Sequence, residues 1–338
     1  MCIRDSNTRV QTRVLFSPDS RYLASSHHGN PVRLWSVEGR LVRTFSEQAS
    51  DISDFTFSSD SRILAVSNWT EHEIQLWSIE GSLLQTFGTR VEVYSVAVNP
   101  DGSMVAGGGA GKVWIWQTNN DTTVLKEPMI TLQTGEDVRF LAFSADSKRI
   151  IAVSAPLIAQ NAGATCRVWT VRGEPVRTFQ IMDPLNWGQS VWYEFALNGS
   201  GRFLAYGTPQ NRIQVCSLEG EPIISFDGYT GTIAGLAFSP DSNFVAAGSE
   251  DGELRIHNLQ TGENVLMLVF KSGQWVIVHK TGRFACSDGA RNYILFVDGL
   301  RVLDPEKSEK YWNALYTPDL LERFIKGEQL SAPSLSPH

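Results

Sequence analysis

The chain has 338 residues, 42% of them apolar, a formal net charge of −7 and a pI near 5.4. No run of Lys or Arg supplies the phosphate neutralisation that nucleic-acid binding depends on, so no nucleic-acid partner is expected. No stretch approaches the roughly 18 to 20 apolar residues that a bilayer span needs, so no membrane partner is expected either, and with no targeting pattern the expected location is cytoplasmic.

Residues 1–11 are polar and lack alternation, and are expected to be an N-terminal scar or a truncated segment. The opening Met1 to Ser6 resembles translated adapter sequence, which would place further native residues upstream. From Arg13 a pattern begins that returns six more times. Its turns are Phe16-Ser17-Pro18-Asp19-Ser20, Phe57 to Ser61, Val98 to Gly102, Phe143 to Ser147, Leu197 to Gly201, Phe238 to Ser242 and Val278 to Gly282, at spacings of 41, 41, 45, 54, 41 and 40 residues. A second register follows in phase: Leu34-Trp35-Ser36, Leu76-Trp77-Ser78, Ile115-Trp116-Gln117, Val168-Trp169-Thr170, Val215-Cys216-Ser217, Ile256-His257-Asn258 and Leu295-Phe296-Val297. A period near 40 with four short strand signals per copy predicts propeller blades.

Within the first copy, Arg13 to Phe16 leads through Pro18-Asp19-Ser20 into Tyr22 to Ser25, a hairpin whose turn proline presets φ and whose Asp bonds the backbone after it. After the polar loop His27 to Asn30, the third strand Val32 to Val37 carries bulk on both faces, as a sheet packed between two neighbours requires. A tight turn then recurs as Val37-Glu38-Gly39, Ile79-Glu80-Gly81, Val171-Arg172-Gly173 and Leu218-Glu219-Gly220. The strands that follow begin with Pro175 and Pro222 in two copies, which suits an outermost strand. Insertions at Pro156 to Gly163 and Ile181 to Ser190 fall in loops, and insertions gathered on one rim often build a binding face. Beyond a short strand at Leu300 to Leu303 the chain turns helical: Thr317-Pro318-Asp319 opens a helix with Leu320, Leu321, Phe324 and Ile325 on one face and Gly327 closing it. The expected layout is therefore 12–304 as a seven-bladed all-β propeller of four-stranded antiparallel blades, 305–328 as a short C-terminal α-helical segment, and 329–338 as a disordered tail.

These repeats resemble WD repeats (WD40), with Ser-Pro-Asp-Ser at the first hairpin and Leu-Trp-Ser where the family often has Trp-Asp. The resemblance implies a seven-bladed β-propeller. The Gly-His dipeptide that often opens a family repeat is missing, and the tight-turn Asp is clear only at Asp251 and Asp288, so the buried Asp-His-Ser-Trp tetrad cannot form fully. Trp35, Trp77, Trp116 and Trp169 are read as blade-packing residues. The segments Ser272 to Ile277, Thr281 to Phe284 and Tyr316 to Phe324 resemble the closing module of bacterial WD-repeat proteins, some of which carry a caspase-like peptidase in the same chain. That likeness implies an effector domain in a longer bacterial protein of which this chain is a fragment.

No motif points to catalysis, a metal or a cofactor. Gly107 to Lys112 is followed by a strand rather than the helix a phosphate loop needs, so it is read as an inter-strand turn. His27, His28 and His72 lack an acidic or Cys partner at ligand spacing, and Gly199-Ser200-Gly201 is a repeat turn. Cys2, Cys166, Cys216 and Cys286 lie far apart and are read as small apolar residues. What remains is recognition of a protein or peptide. The candidate rim, formed by second-to-third-strand loops and blade-to-blade connections, comprises His27, His28, Trp69, His72, Arg90, Arg139, Trp187, Trp192 and Tyr229, with Trp69 and Trp187 foremost because each sits among turn formers. The expectation is a non-enzymatic interaction scaffold, with a regulatory domain of a longer protein or a channel-using propeller enzyme as alternatives.

Overall fold

A computed structural model describes residues 12–27, 30–45, 52–118, 124–125, 127–155, 163–181, 194–270, 272–295, 297–298, 301–302 and 305–332. Its contacts divide the chain into two compact units, the first Met1–Ser190 with Leu218–Gly220, the second Val191–Ser217 with Glu221–His338.

Four sheets make up the first unit. β1 (Thr12–Phe16), β2 (Tyr22–His27), β3 (Val32–Ser36) and β4 (Leu41–Phe45) form one; β5 (Ile52–Phe57), β6 (Ile63–Asn68), β7 (Glu73–Ser78) and β8 (Leu83–Gly88) the next. In the third, β9 (Val93–Val98), β10 (Met104–Gly109) and β11 (Lys112–Gln117) are joined by β13 (Ile130–Gln133). The intervening β12 (Val124–Leu125) lies parallel on the outer edge of β8 instead. β14 (Val138–Phe143), β15 (Arg149–Ser154), β16 (Thr165–Thr170) and β17 (Pro175–Gln180) form the fourth.

The hairpin turns repeat one chemistry. Ser17, Ser58 and Ser144 each donate Oγ to the Asp two residues on (Asp19, Asp60, Asp146), and that carboxylate accepts the N–H of Arg21, Arg62 and Lys148. These bonds, the serine hydroxyl first, hold the three carboxyls below their ordinary range. The cores lie between sheets. Leu64 and Val66 of β6 pack with Val32, Leu34 and Phe45 of the first sheet, while Ala65 between them faces Val96, Val105 and Trp116 of the third; this is the strand's two-residue alternation at work. The first strands of the second, third and fourth sheets each carry a bulge, at Ser53, Tyr94 and Arg139.

The glycine run Gly107-Gly108-Gly109 lies within β10. Neighbouring sheets press on it: a Cβ would meet Ile74 Cδ1 at 2.6 Å, Val138 Cγ1 at 2.5 Å and the Glu92 carbonyl, respectively.

The second unit holds β18 (Phe195–Leu197), β19 (Phe203–Gly207), β20 (Ile213–Ser217) and β21 (Pro222–Phe226) as one sheet. The other has six strands: β22 (Ile233–Phe238), β23 (Phe244–Ser249), β24 (Glu253–Asn258), β25 (Asn264–Val269), β26 (Trp275–His279) and β27 (Phe284–Cys286). A two-stranded piece, β28 (Val297–Asp298) with β29 (Arg301–Val302), and the helices α1 (Pro305–Leu315) and α2 (Leu320–Ile325) follow.

The propeller therefore has six blades, not the seven that the repeat count predicts, because the seventh repeat extends the sixth sheet. The cause lies in its first turn. Where a new blade begins, the residue after the outer strand bonds back to its own blade: Thr89 N–H to His72 O (2.8 Å), Thr134 N–H to Gly111 O (2.9 Å). Phe270 N–H instead donates forward to Gln274 O (2.8 Å), with Gly273 at φ 79°, closing a hairpin that lays β26 against β25. After β27 the chain forms a 3₁₀ helix over Asp288–Tyr293.

The helices complete this extension. Leu320 and Phe324 of α2 pack with Phe244, Val265, Ile277 and Ala285 on one face, while Leu315, Tyr311 and Trp312 of α1 pack with Val276, Phe284 and Cys286 on the other. Ile325, expected on the buried face of α2, is 51% exposed.

Candidate interaction rim

The rim residues occupy two kinds of connection. Trp69 and His72 sit in the β6–β7 loop, where Asn68 Oδ1 accepts Thr70 N–H (3.0 Å), Thr70 Oγ1 (2.9 Å) and Glu71 N–H (3.1 Å). These bonds fix the loop so that Trp69 projects at 36% exposure, the one tryptophan among the described residues in the exposed class. Arg90 lies in the β8–β9 connection. It is exposed and pairs with Glu127 through Nη2 at 2.6 Å. The two connections are tied by Thr89, whose N–H and Oγ1 both donate to His72 O, each at 2.8 Å.

Further round the same unit, Arg139 is half-buried. Its guanidinium lies 5.2 Å from the Tyr94 ring centroid and 3.8 Å from Asp137 Oδ2. Burial pushes the Asp137 carboxyl up, against the pull of Arg139, and raises the Tyr94 phenol. The side chain of His27, and residues His28, Trp187 and Trp192, lie outside the described residues.

Tyr229, in the second unit, is only 6% exposed and is a packing residue: its hydroxyl meets His257 Nε2 at 2.8 Å. His257 occupies the repeat position of the packing tryptophans and stacks on Phe226 at 4.2 Å, as Trp77 meets Phe45 (6.0 Å) and Trp116 meets Phe87 (5.4 Å). Burial, with Arg255 adding to it, pushes the His257 imidazole down to about 4. Trp116 and Trp169 are buried, whereas Trp35 and Trp77 are half-buried, with Nε1 donating to Ser25 Oγ (2.9 Å) and Gln75 Oε1 (3.0 Å).

Of two further polar clusters, the first was not singled out by sequence reasoning. Asp54 is buried, its Oδ1 taking Phe55 N–H and Arg13 Nη1 (both 2.7 Å) and its Oδ2 Ser95 Oγ (3.0 Å) and Val96 N–H (2.9 Å), which joins three consecutive sheets. A carboxylate inside the apolar strand Ile52 to Phe57 was the available signal. The other gathers at Asp251, which accepts from Ser249 Oγ, Thr230 N–H and Oγ1, Gly231 N–H and Glu253 N–H. Burial works to raise its pKa, but these bonds together hold the carboxyl well below the usual range. Cys166, Cys216 and Cys286 are buried and unbonded to one another, and burial pushes the Cys216 thiol up to about 12. No group of three or more His, Cys, Asp or Glu side chains suited to a metal occurs among the described residues. Nor, among them, is any helix long and apolar enough to cross a membrane.

The profile described as "WD domain, G-beta repeat" matches residues 81–117 and 220–258, stretches that fall on the fourth strand of the second and fifth blades and the first three strands of the blades after them. The matched stretches are WD40 repeats. The chain is 25% identical over 183 residues to the WD repeat-containing protein SL1-17 of Schistosoma mansoni, which covers 53% of this chain and 54% of that protein. It is 37% identical over 57 residues to the LST8 homolog of Dictyostelium discoideum, 17% of this chain and 19% of that protein. Human apoptotic protease-activating factor 1 aligns at 22% identity over 96% of this chain and 27% of its own length. The chain thus spans about half or less of the length of these curated relatives. Among solved structures, hydrazine synthase of Kuenenia stuttgartiensis is similar with a TM-score of 0.59 at 14% identity, covering 73% of this chain and 76% of that one, a likeness of fold alone. WD40 propellers generally bind proteins, so the matched repeats and the WD-repeat relatives support a protein-interaction scaffold as the broad function.

Proposed function

We propose that this WD40 protein binds a protein or peptide through the rim that carries the β6–β7 loop and the β8–β9 connection. The observation that carries the reading is Trp69, a large aromatic partly exposed on a loop whose backbone is held by the Asn68 side chain. Tryptophan and arginine on such loops are the residues from which binding hot spots are built. Tyr94 and Arg139 extend the same rim toward the fourth blade. The test is capture of partners from a lysate of the source cells by the full chain, comparing Trp69→Ala with Val176→Ala on the exposed outer strand β17. Loss of the captured proteins with the first variant and retention with the second is the expected result; equal capture by both rejects the rim.

A second reading makes the propeller a regulatory part of a longer chain bearing a caspase-like or other effector. It is favoured by an alignment that spans nearly this whole chain yet only 27% of a larger protein. Sequencing the parent DNA past both ends of the reading frame tests it, and stop and start signals directly flanking the present ends would reject it.

A further inference from the structure

The repeats permit an internal comparison. In the third blade the residue before β11 is Gly111 (φ 72°) and the second residue after β13 is Gly135 (φ 77°), both in the left-handed region. The second blade closes the same two turns with the same bonds: Thr89 N–H to His72 O matches Thr134 N–H to Gly111 O, and Thr89 Oγ1 to Val91 O (2.7 Å) matches Thr134 Oγ1 to Glu136 O (2.7 Å). Yet its left-handed residues are His72 (φ 55°) and Arg90 (φ 65°). The sixth blade has Gly252 (φ 89°) at the position of His72, and in the fifth blade Gly228 (φ 102°) follows β21 at the position of Arg90. Glycine adopts this conformation freely and other residues do so against a steric penalty. Of the second and third blades, whose two turns match bond for bond, only the second carries that penalty, and it is the blade that presents Trp69.

The Arg90 side chain gives the reason. It extends 73% exposed and meets Glu127, itself 78% exposed, at 2.6 Å. A surface pair of that kind contributes little to the fold, so stability does not account for an arginine at a glycine position. A guanidinium is instead suited to forked recognition of a carboxylate.

We infer that Arg90 and Trp69 receive an acidic side chain of a partner protein with an apolar residue beside it, and that Glu127 holds the place of the partner's carboxylate in the free chain. This rests on the rim reading above and names its partner chemistry.

The test uses the full chain on an immobilised array of nonapeptides in which a central Asp or Glu, a central Lys or Arg, or neither is combined with a neighbouring Leu, Phe or Ala. Selective binding to acidic peptides with Leu or Phe beside the carboxylate is expected. Arg90→Gly, which installs the third blade's own residue, should lose at least about tenfold in binding to the acidic spots while its melting temperature holds or rises. Glu127→Gln should bind those spots up to about fivefold more tightly, since it removes a weak internal competitor. Preference for Lys or Arg peptides, no spot above the peptides with neither charge, or undiminished acidic binding by Arg90→Gly overturns the inference. In that last case, loss of binding with Trp69→Ala leaves the rim reading standing and removes only Arg90's role, whereas undiminished binding by both variants removes the rim as well.

Discussion

Replacing Asp54 with alanine tests how the blades of the first unit are held together. The carboxylate is 2% exposed and takes four donors from three sheets: Arg13 from the first strand of the first, Phe55 from its own, and Ser95 and Val96 from the third. Alanine leaves the Phe55 and Val96 amides and the Ser95 hydroxyl without their acceptor, at about 1 to 3 kcal/mol for each buried group left unpaired. Rotation of the Ser95 hydroxyl and solvent access along the half-exposed Arg13 side chain offset part of this, so Asp54→Ala should destabilise by about 3 to 5 kcal/mol, the range found when one partner of a buried pair is removed. Arg13→Ala should cost less, about 1 to 2 kcal/mol, because that partner is half-exposed and the three other donors stay on the carboxylate. Guanidinium unfolding followed by tryptophan fluorescence reads both, with Asp60→Ala in an exposed turn as the control. A loss below about 1 kcal/mol for Asp54→Ala would refute the view that this carboxylate clips three blades together.

Four further outcomes are expected. His257 is held neutral in the fold at about 4, whereas the unfolded chain takes up its proton near 6.5, so stability should fall as pH drops through that window and level off below it, by about 3 kcal/mol; urea midpoints from pH 7 to pH 4 should lose that slope when His257 and Tyr229 are both changed to Phe. Trp116→Ala should destabilise by about 3 to 5 kcal/mol, and Trp77→Ala by visibly less since its ring is only half-buried, with matching denaturation curves as the check. Gly109→Ala, whose new methyl would collide with the Glu92 carbonyl, should cost about 1 to 3 kcal/mol, while Gly135→Ala, which meets nothing within 4 Å but keeps a left-handed φ, should cost less; thermal melts separate the two. Asp251→Asn should remove a loss of stability that otherwise sets in as pH falls below about 4, because the folded carboxyl is held lower than the unfolded one; acid titration by circular dichroism reads the difference.

The repeat turns could be read from the sequence because their chemistry is local. Ser-x-Asp pairs form their bonds within five residues, and the glycines of Val37-Glu38-Gly39 and Ile79-Glu80-Gly81 take the positive φ their hairpins need. The seventh repeat was misassigned for the same reason. Val278 to Gly282 does form a hairpin turn, with His279 N–H bonded to Arg283 O, but a hairpin does not disclose which sheet it joins. That was decided by the partner of one amide, Phe270, and by helices that cover both faces. Tyr229 misled because its side chain turns inward to His257 from a connection that reads as exposed loop. His72 and Arg90 were chosen as exposed polar residues; that both stand where other blades use glycine emerges only with the backbone angles and the repeat alignment together.

The outer edge of β27 is covered by the chain's own C-terminal segment. A strand at the end of a sheet offers its free amides and carbonyls to any other chain as a template for self-association. Here Thr317 N–H bonds Phe284 O at 2.7 Å, and Tyr316 forms an isolated parallel bridge to Phe284, so the segment between the two helices takes up that edge. A chain shortened to residue 302 would keep all six blades yet expose a pairing edge flanked by bare Phe284, Ala285 and Cys286, and light scattering should show it growing into oligomers with concentration while the longer chain does not.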